Sequence, residues 1–249
     1  MKILGIESSS LVASVAVVTD DVTTAEYTVN FKKTHSQTLL PMIDQVVQML
    51  ELDIQTVDAI AVSGGPGSFT GLRIGSATAK GLGLALDKPL IHVPTVDAMA
   101  YCLYGVSGLI CPVMDARRNQ VYTGLYRFER EFEVVKAQCA MDVEELAGEL
   151  NRLGERVVFL GDGIPVYGSF FRQRLTIPHD FAPAHANRQR AAAVAALGAV
   201  CYRQGKVETA AEHTPDYLRK SQAERELEEA RQRGLAGELA AGHCVGAGS

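Results

Sequence analysis

Two carboxylates stand where an apolar run gives way to a polar turn. Glu7 follows KILGI at 2–6, and Asp115 follows LICPVM at 109–114. Facing each other across a cleft, such a pair would hold the waters of a Mg²⁺ ion or act as a base beside phosphates. Alone, each would simply accept N–H bonds from its own turn. A second feature is Ser63-Gly64-Gly65-Pro66-Gly67-Ser68, just ahead of a helical pattern opening near Thr70. Glycines there let backbone N–H groups close on an anion at a helix N-terminus. The stretch is no Walker A loop, since Arg73 comes too late, and it does not match G-x-G-x-x-G. A tight strand-to-helix turn is the plainer reading. Gly161-Asp162-Gly163 could likewise flank a nucleoside or be a turn. Glu7, Ser8, Ser9, Gly64, Gly65, Gly67, Asp115, Gly161, Asp162 and Gly163 together outline a candidate nucleotide cleft.

Other chemistries lack their residues. The histidines (35, 92, 179, 185, 213 and 243) include no H-x-x-x-H or H-E-x-x-H pair, so no metal site is expected. His35, ahead of a helix, reads as a cap or surface group. Ser8–Ser10 has neither a nucleophile elbow nor an evident base. No residue is assigned a catalytic role.

The helix expected over about 70–86 is unusual in its small residues. Gly71, Gly75, Ala79 and Gly83 recur every fourth position, and Ala77, Gly81 and Ala85 form a parallel ridge. Each interior glycine costs about 1 kcal/mol against alanine. Small residues at i, i+4 let another backbone approach closely, a purely steric effect. Packing on the chain's own sheet accounts for one ridge; two ridges point to a further partner.

The positioning elements follow from periodicity. Runs at 2–6 and 12–18 read as a hairpin, with a third strand at 25–31 bearing Tyr27, Val29 and Phe31 on one face. Leu39, Leu40, Ile43, Val46, Val47 and Leu50 mark an amphipathic helix starting near Thr38, so that Pro41 falls in its first turn. Strands at 58–62 and 89–93 flank the 70–86 helix, and a short helix opens near Thr95. The second half repeats this: strands at 109–114, 121–128 and 132–137, a helix from Asp142 to Arg152, a strand at 156–160, and helices at 165–175 and 187–203. The expected architecture is therefore α/β, with lobes at 1–105 and 106–220, then a charged helix and tail at 221–249.

Composition agrees with that class. The chain has 249 residues, 47% apolar and 21% charged, with a formal charge of −5. Disordered and collagen-like chains are excluded, and the acidic balance exerts no global pull on nucleic acid. The longest apolar stretch, 191–202, is too short to span a bilayer. No signal-peptide core is expected ahead of Glu7. Five scattered cysteines without a C-x-x-C pair fit a reducing, cytoplasmic setting.

Taken together, ILGIESSSLVASVAVV (3–18), HSQTLLPMI (35–43), SGGPGSFTGLRIGSATAKGLGLA (63–85) and MDARRNQVYTGLY (114–126) resemble the TsaB family, with support from PDYLRK (215–220). TsaB proteins serve in making threonylcarbamoyladenosine (t6A) in tRNA. The resemblance implies the actin-like ATPase (ASKHA) fold, two RNase-H-like lobes each built on a mixed sheet with helices. It implies a non-catalytic partner of the paralogue TsaD, whose metal-binding H-x-x-x-H pair is missing here. The ATPase TsaE would join the complex and tRNA would be reached through it; whether the chain forms a homodimer when TsaD is absent is left open. No cofactor is firmly implied; ATP or ADP in the assembled complex is left open, and the cleft would be vestigial. Carried over, the contact helices would be about 36–50 and 70–86. They place His35, Ser36, Leu39, Leu40, Ile43, Thr70, Gly71, Arg73, Ile74, Gly75 and Ala79 at the interface. Gly75→Leu or Ala79→Leu is then expected to block pairing in a folded monomer. The alternative is an ASKHA-fold small-molecule kinase using Glu7 and Asp115 with Mg-ATP, although 249 residues leave little room for substrate insertions. A peptidase would need a triad or metal pair that the sequence does not offer.

Overall fold

Alternating and continuous apolar runs build two sheets of the same design. A computed structural model describes residues 1–32 and 34–218. Strands β1 (Lys2–Glu7), β2 (Val12–Thr19) and β3 (Val22–Asn30) form an antiparallel meander. Helix α1 (His35–Met49) crosses to β4 (Ala59–Gly65), which pairs parallel with β1; helix α2 (Phe69–Leu86) then leads to β5 (Leu90–Pro94), parallel with β4. The strand order is β3-β2-β1-β4-β5. After α3 (Thr95–Tyr101), β6 (Leu109–Asp115), β7 (Gln120–Phe128) and β8 (Phe132–Asp142) form a second meander. Helix α4 (Val143–Leu153), β9 (Val157–Leu160), α5 (Ile164–Arg174), β10 (His179–Phe181) and α6 (Ala191–Arg203) follow. The second sheet runs β10-β9-β6-β7-β8, the same order as the first when read from the other edge. Glu7 and Asp115 close the central strand of each sheet. This duplicated arrangement is the actin-like α/β fold expected from the sequence.

Several boundaries differ from expectation for local reasons. Helix α1 begins at His35, which leaves Pro41 in its second turn. The carbonyl that loses its N–H partner lies beside exposed residues, where solvent can satisfy it. Phe31 lies past the end of β3 and is exposed. The short β10 lacked any alternating signal and was missed. Asp142 caps α4 by accepting from the Glu144 N–H at 2.7 Å, without the reciprocal Glu145 contact that its spacing invites.

The last helix of each half packs on the sheet of the other. On α6, Val194, Ala195, Leu197 and Ala199 are buried with Ile3, Ala59, Ala61 and Val93 of the first sheet. On α3, Val96, Met99 and Ala100 pack against Ile110, Met114 and Tyr126 of the second. Helix 187–203 therefore does not complete the second lobe, as its place in the chain had implied. It is apolar on nearly every face, and such a helix must be enclosed rather than lie on a surface. This exchange joins Met1–Asp216 into one unit; Tyr217 and Leu218 are the described residues of a second, Tyr217–Ser249. The charged segment expected at 221–249 lies outside the described residues. Among the described residues no helix is long and apolar enough to cross a membrane.

Candidate functional site

The strand ends place the carboxylates. Glu7 is 1% exposed, and its Oε1 accepts from the Ser9 N–H at 2.6 Å and the Ser9 hydroxyl at 2.5 Å. Burial pushes its pKa up to about 7, against the hydrogen bonds from Ser9 and Ser63, with Asp162 adding like-charge repulsion. Asp162 is itself held above the usual carboxylate range, chiefly by burial; Gln189 Nε2 donates to it at 3.4 Å, and Asp115 adds repulsion. Asp115 accepts from Arg117 N at 2.8 Å and from the Tyr167 hydroxyl at 3.2 Å. The acidic neighbour of Glu7 is thus Asp162 from the turn after β9, and Asp115 follows as the neighbour of Asp162. Three acids share one region, with at least one poised to hold a proton near neutral pH.

The glycine turns beside them are filled by the chain itself. A Cβ at Gly64 would lie 2.1 Å from the His92 ring, one at Gly65 2.3 Å from the Asp216 carbonyl, and one at Gly67 2.3 Å from the Ser9 carbonyl. Three N–H donors of the turn and helix start are engaged as well. Gly65 N donates to Thr95 Oγ1 at 3.1 Å, Ser68 N to the Ser9 carbonyl at 2.6 Å, and Gly71 N to its cap Ser68 Oγ at 3.3 Å. Gly161 and Gly163 lie against β6, where a Cβ would meet the Val113 carbonyl at 2.1 Å and the Val113 side chain at 2.7 Å respectively. Close backbone approach accounts for these glycines.

The turn after Asp115 carries backbone strain. Arg117, Arg118 and Asn119 have φ of 65°, 56° and 58°, in the left-handed region that side chains disfavour. Arg118 is exposed, so Arg118→Gly relieves strain without opening a cavity. Chemical denaturation should show a gain of about 1 kcal/mol; an unchanged or lower midpoint would contradict this.

The two ridges of α2 have opposite surroundings. Gly71 and Gly75 face the loop after β1: a Cβ would meet the Ser8 carbonyl at 2.1 Å and Ser8 Oγ at 2.2 Å. Ser8 Oγ donates to the Gly71 carbonyl at 2.9 Å, and His35 Nε2 meets the Ser10 carbonyl at 2.8 Å. Ala79 is enclosed with Leu39, Ile43, Ile60 and Leu90. The backbone lying along the first ridge is therefore the chain's own. His35, Leu39, Ile43, Gly71, Gly75 and Ala79 are buried, which corrects their placement on a contact surface. Re-exposing Leu39 and Ile43 would cost roughly 1.5–3 kcal/mol each. Ala77, Gly81 and Ala85 are the outward ridge; they are exposed, and a Cβ at Gly81 would meet nothing within 4 Å. Ser36, Leu40, Thr70 and Arg73 are exposed too, and Ile74 is half-buried. The Arg73 guanidinium lies 3.9 Å from the Phe69 ring centroid. Sequence reading named the inward ridge because both ridges have the same composition.

Known proteins share this arrangement. The TsaD family model, described as tRNA N6-adenosine threonylcarbamoyltransferase, matches residues 26–227. A Bacillus subtilis protein named tRNA threonylcarbamoyladenosine biosynthesis protein TsaB is 34% identical over 90% of this chain and 96% of its own. The Escherichia coli protein of that name is 30% identical over 62% of this chain and 71% of its own. The crystal structure of YeaZ from Pseudomonas aeruginosa superposes with a TM-score of 0.75 at 25% identity, covering 87% of this chain and 99% of that one. On its sequence, its duplicated sheets and these relatives, the chain belongs to the TsaB family.

Proposed function

We propose that this protein is the non-catalytic partner of a TsaD-type threonylcarbamoyltransferase, required for t6A at adenosine 37 of tRNAs reading codons that begin with A. The observation that carries this reading is end-to-end likeness to a protein named for t6A biosynthesis. The glycine turns support it, because His92, Asp216 and Ser9 already lie against Gly64, Gly65 and Gly67, where the phosphates of a kinase substrate would have to approach. TsaE would join as the ATPase, and a second copy of the chain would occupy the TsaD surface when TsaD is absent. Co-expression with TsaD and TsaE, leaving out each in turn, tests this. t6A should vanish when this chain is omitted, and the chain alone should form none.

The docking surface is the outward side of α1 and α2, centred on Ala77, Gly81 and Ala85 with Ser36, Leu40, Thr70 and Arg73. A branched side chain on the outward ridge would hold a partner helix away while meeting open space in the monomer. Gly81→Leu should abolish co-purification with TsaD and leave the melting temperature unchanged or slightly higher, since glycine in a helix is unfavourable. Intact co-purification would move the interface elsewhere.

A further inference from the structure

The fold brings together residues from distant parts of the sequence at the far edge of the first sheet. His92 lies on β5, while Glu208 and His213 belong to the segment after α6 that returns along that strand. Leu90 N donates to the Glu208 carbonyl at 2.8 Å, and Glu208 N to the Leu90 carbonyl at 2.9 Å. Asp216 N closes the segment on the Gly64 carbonyl at 2.6 Å. One ligand atom each from His92, Glu208 and His213 lies within 4.8 Å of the others. Asp216 Oδ2 is 3.2 Å from His92 Nε2.

Each imidazole has a carboxylate beside it, and Glu208 orients that of His213. His213 Nδ1 is 2.5 Å from Glu208 Oε1, an arrangement in which the ring N–H donates to the carboxylate. Its side chain is fully enclosed, and its buried Nε2 has no hydrogen-bond partner among the described residues. With Nδ1 directed at Glu208, Nε2 is the nitrogen left to offer a lone pair. A buried nitrogen without a partner is costly, and a carboxylate-held histidine with a free nitrogen is how proteins present imidazole to a metal. The two ring centroids are 5.7 Å apart. Two imidazoles on one tetrahedral zinc, with Zn–N of about 2.0–2.1 Å, put their centroids roughly 5–6 Å apart.

We infer that His92 and His213, with Asp216 at hand as a carboxylate ligand and Glu208 holding His213 Nδ1 so that Nε2 is presented, form a binding site for a divalent transition-metal ion of the zinc class. Two imidazoles and a carboxylate supply the mixed nitrogen–oxygen donor set that such an ion prefers, with the fourth position open to water. Donors on a tetrahedral ion stand about 3.4 Å apart, so the site closes by small rotations. His92 and Asp216 are partly exposed, at 23% and 54%, and have room to make them. The metal would pin the segment Glu208–Asp216 to β5 and to the Gly64–Gly65 turn ahead of α2. Lys80, whose Nζ bonds the His213 carbonyl at 2.9 Å, holds that segment from the other side. Gly64 belongs to the site as well, because a side chain there would displace the His92 ring.

The test uses the full chain, stripped with EDTA and titrated with Co²⁺ and then Zn²⁺. One equivalent of Co²⁺ should give the intense visible bands of a four- or five-coordinate ion, and Zn²⁺ should displace it. Zn²⁺ should raise the melting temperature reversibly. His92→Asn and Glu208→Gln, both at partly exposed positions, should fold normally and bind at least tenfold more weakly. His213→Asn should do the same if circular dichroism shows it folded. The proposal is overturned by a weak six-coordinate spectrum, by a thiolate charge-transfer band that would place the ion on cysteines, or by unchanged affinity in His92→Asn and Glu208→Gln.

Discussion

Leucine at Gly71 or Gly75 should cost the protein about 3 kcal/mol or more of stability, at or above the top of the usual range for overpacking. A Cβ at either position falls within 2.2 Å of Ser8 atoms, and at Gly71 the obstacle is the backbone carbonyl, which cannot rotate away. The Ser8–Ser10 loop would have to lift from α2, breaking the bond from Ser8 Oγ to Gly71 and loosening the His35 contact with Ser10. That loop also supplies the Ser9 donors to Glu7, so the damage would reach the carboxylates. For a chain of this size such a loss lowers the melting temperature by roughly 10 °C. Any failure of TsaD pairing in these variants would reflect misfolding. Wild-type stability in Gly75→Leu would show that the loop is not held against the helix.

Glu7→Gln should raise stability in neutral and alkaline solution by about 2–3 kcal/mol. The pKa of the folded state, about 7, lies above the 4.5 of a solvated glutamate. Between those values the folded protein holds a proton that the unfolded chain releases. Stability therefore falls as pH rises from about 4.5 to 7, and the loss is complete above 7. The full linkage is of order 3 kcal/mol at 1.36 kcal/mol per unit, reduced in the variant because glutamine keeps only one acceptor oxygen. Urea titrations at pH 5 and pH 8 should show the variant close to wild type at the lower pH and clearly more stable at the higher. Equal midpoints at pH 8 would mean that Glu7 is not buried in its charged form.

Period and punctuation made most of this architecture legible in advance. The repeat of strand, acid, turn, strand, strand, helix appears in the order of residues because period-2 and period-3.6 patterns are local. The same locality explains why the α2 helix and its two small-residue ridges were visible. Which ridge faces outward was not visible, since glycine and alanine pack equally well against a sheet, a loop or a partner. Only the Ser8–Ser10 loop, folded onto Gly71 and Gly75, settles that. The burial of Glu7 and its repulsion from Asp162 arise where the ends of β1 and β9 meet, which no spacing along the chain records. Helix α6 similarly announced its enclosure by its composition but not which sheet would enclose it. His92 and His213 share no local spacing at all; the return of the final segment along β5 alone makes them neighbours. The sequence by itself thus determined the elements and their duplication, through interactions a few residues long. Tertiary structure decided which faces are covered and which ionisable groups meet, because desolvation and charge repulsion depend on distance in space.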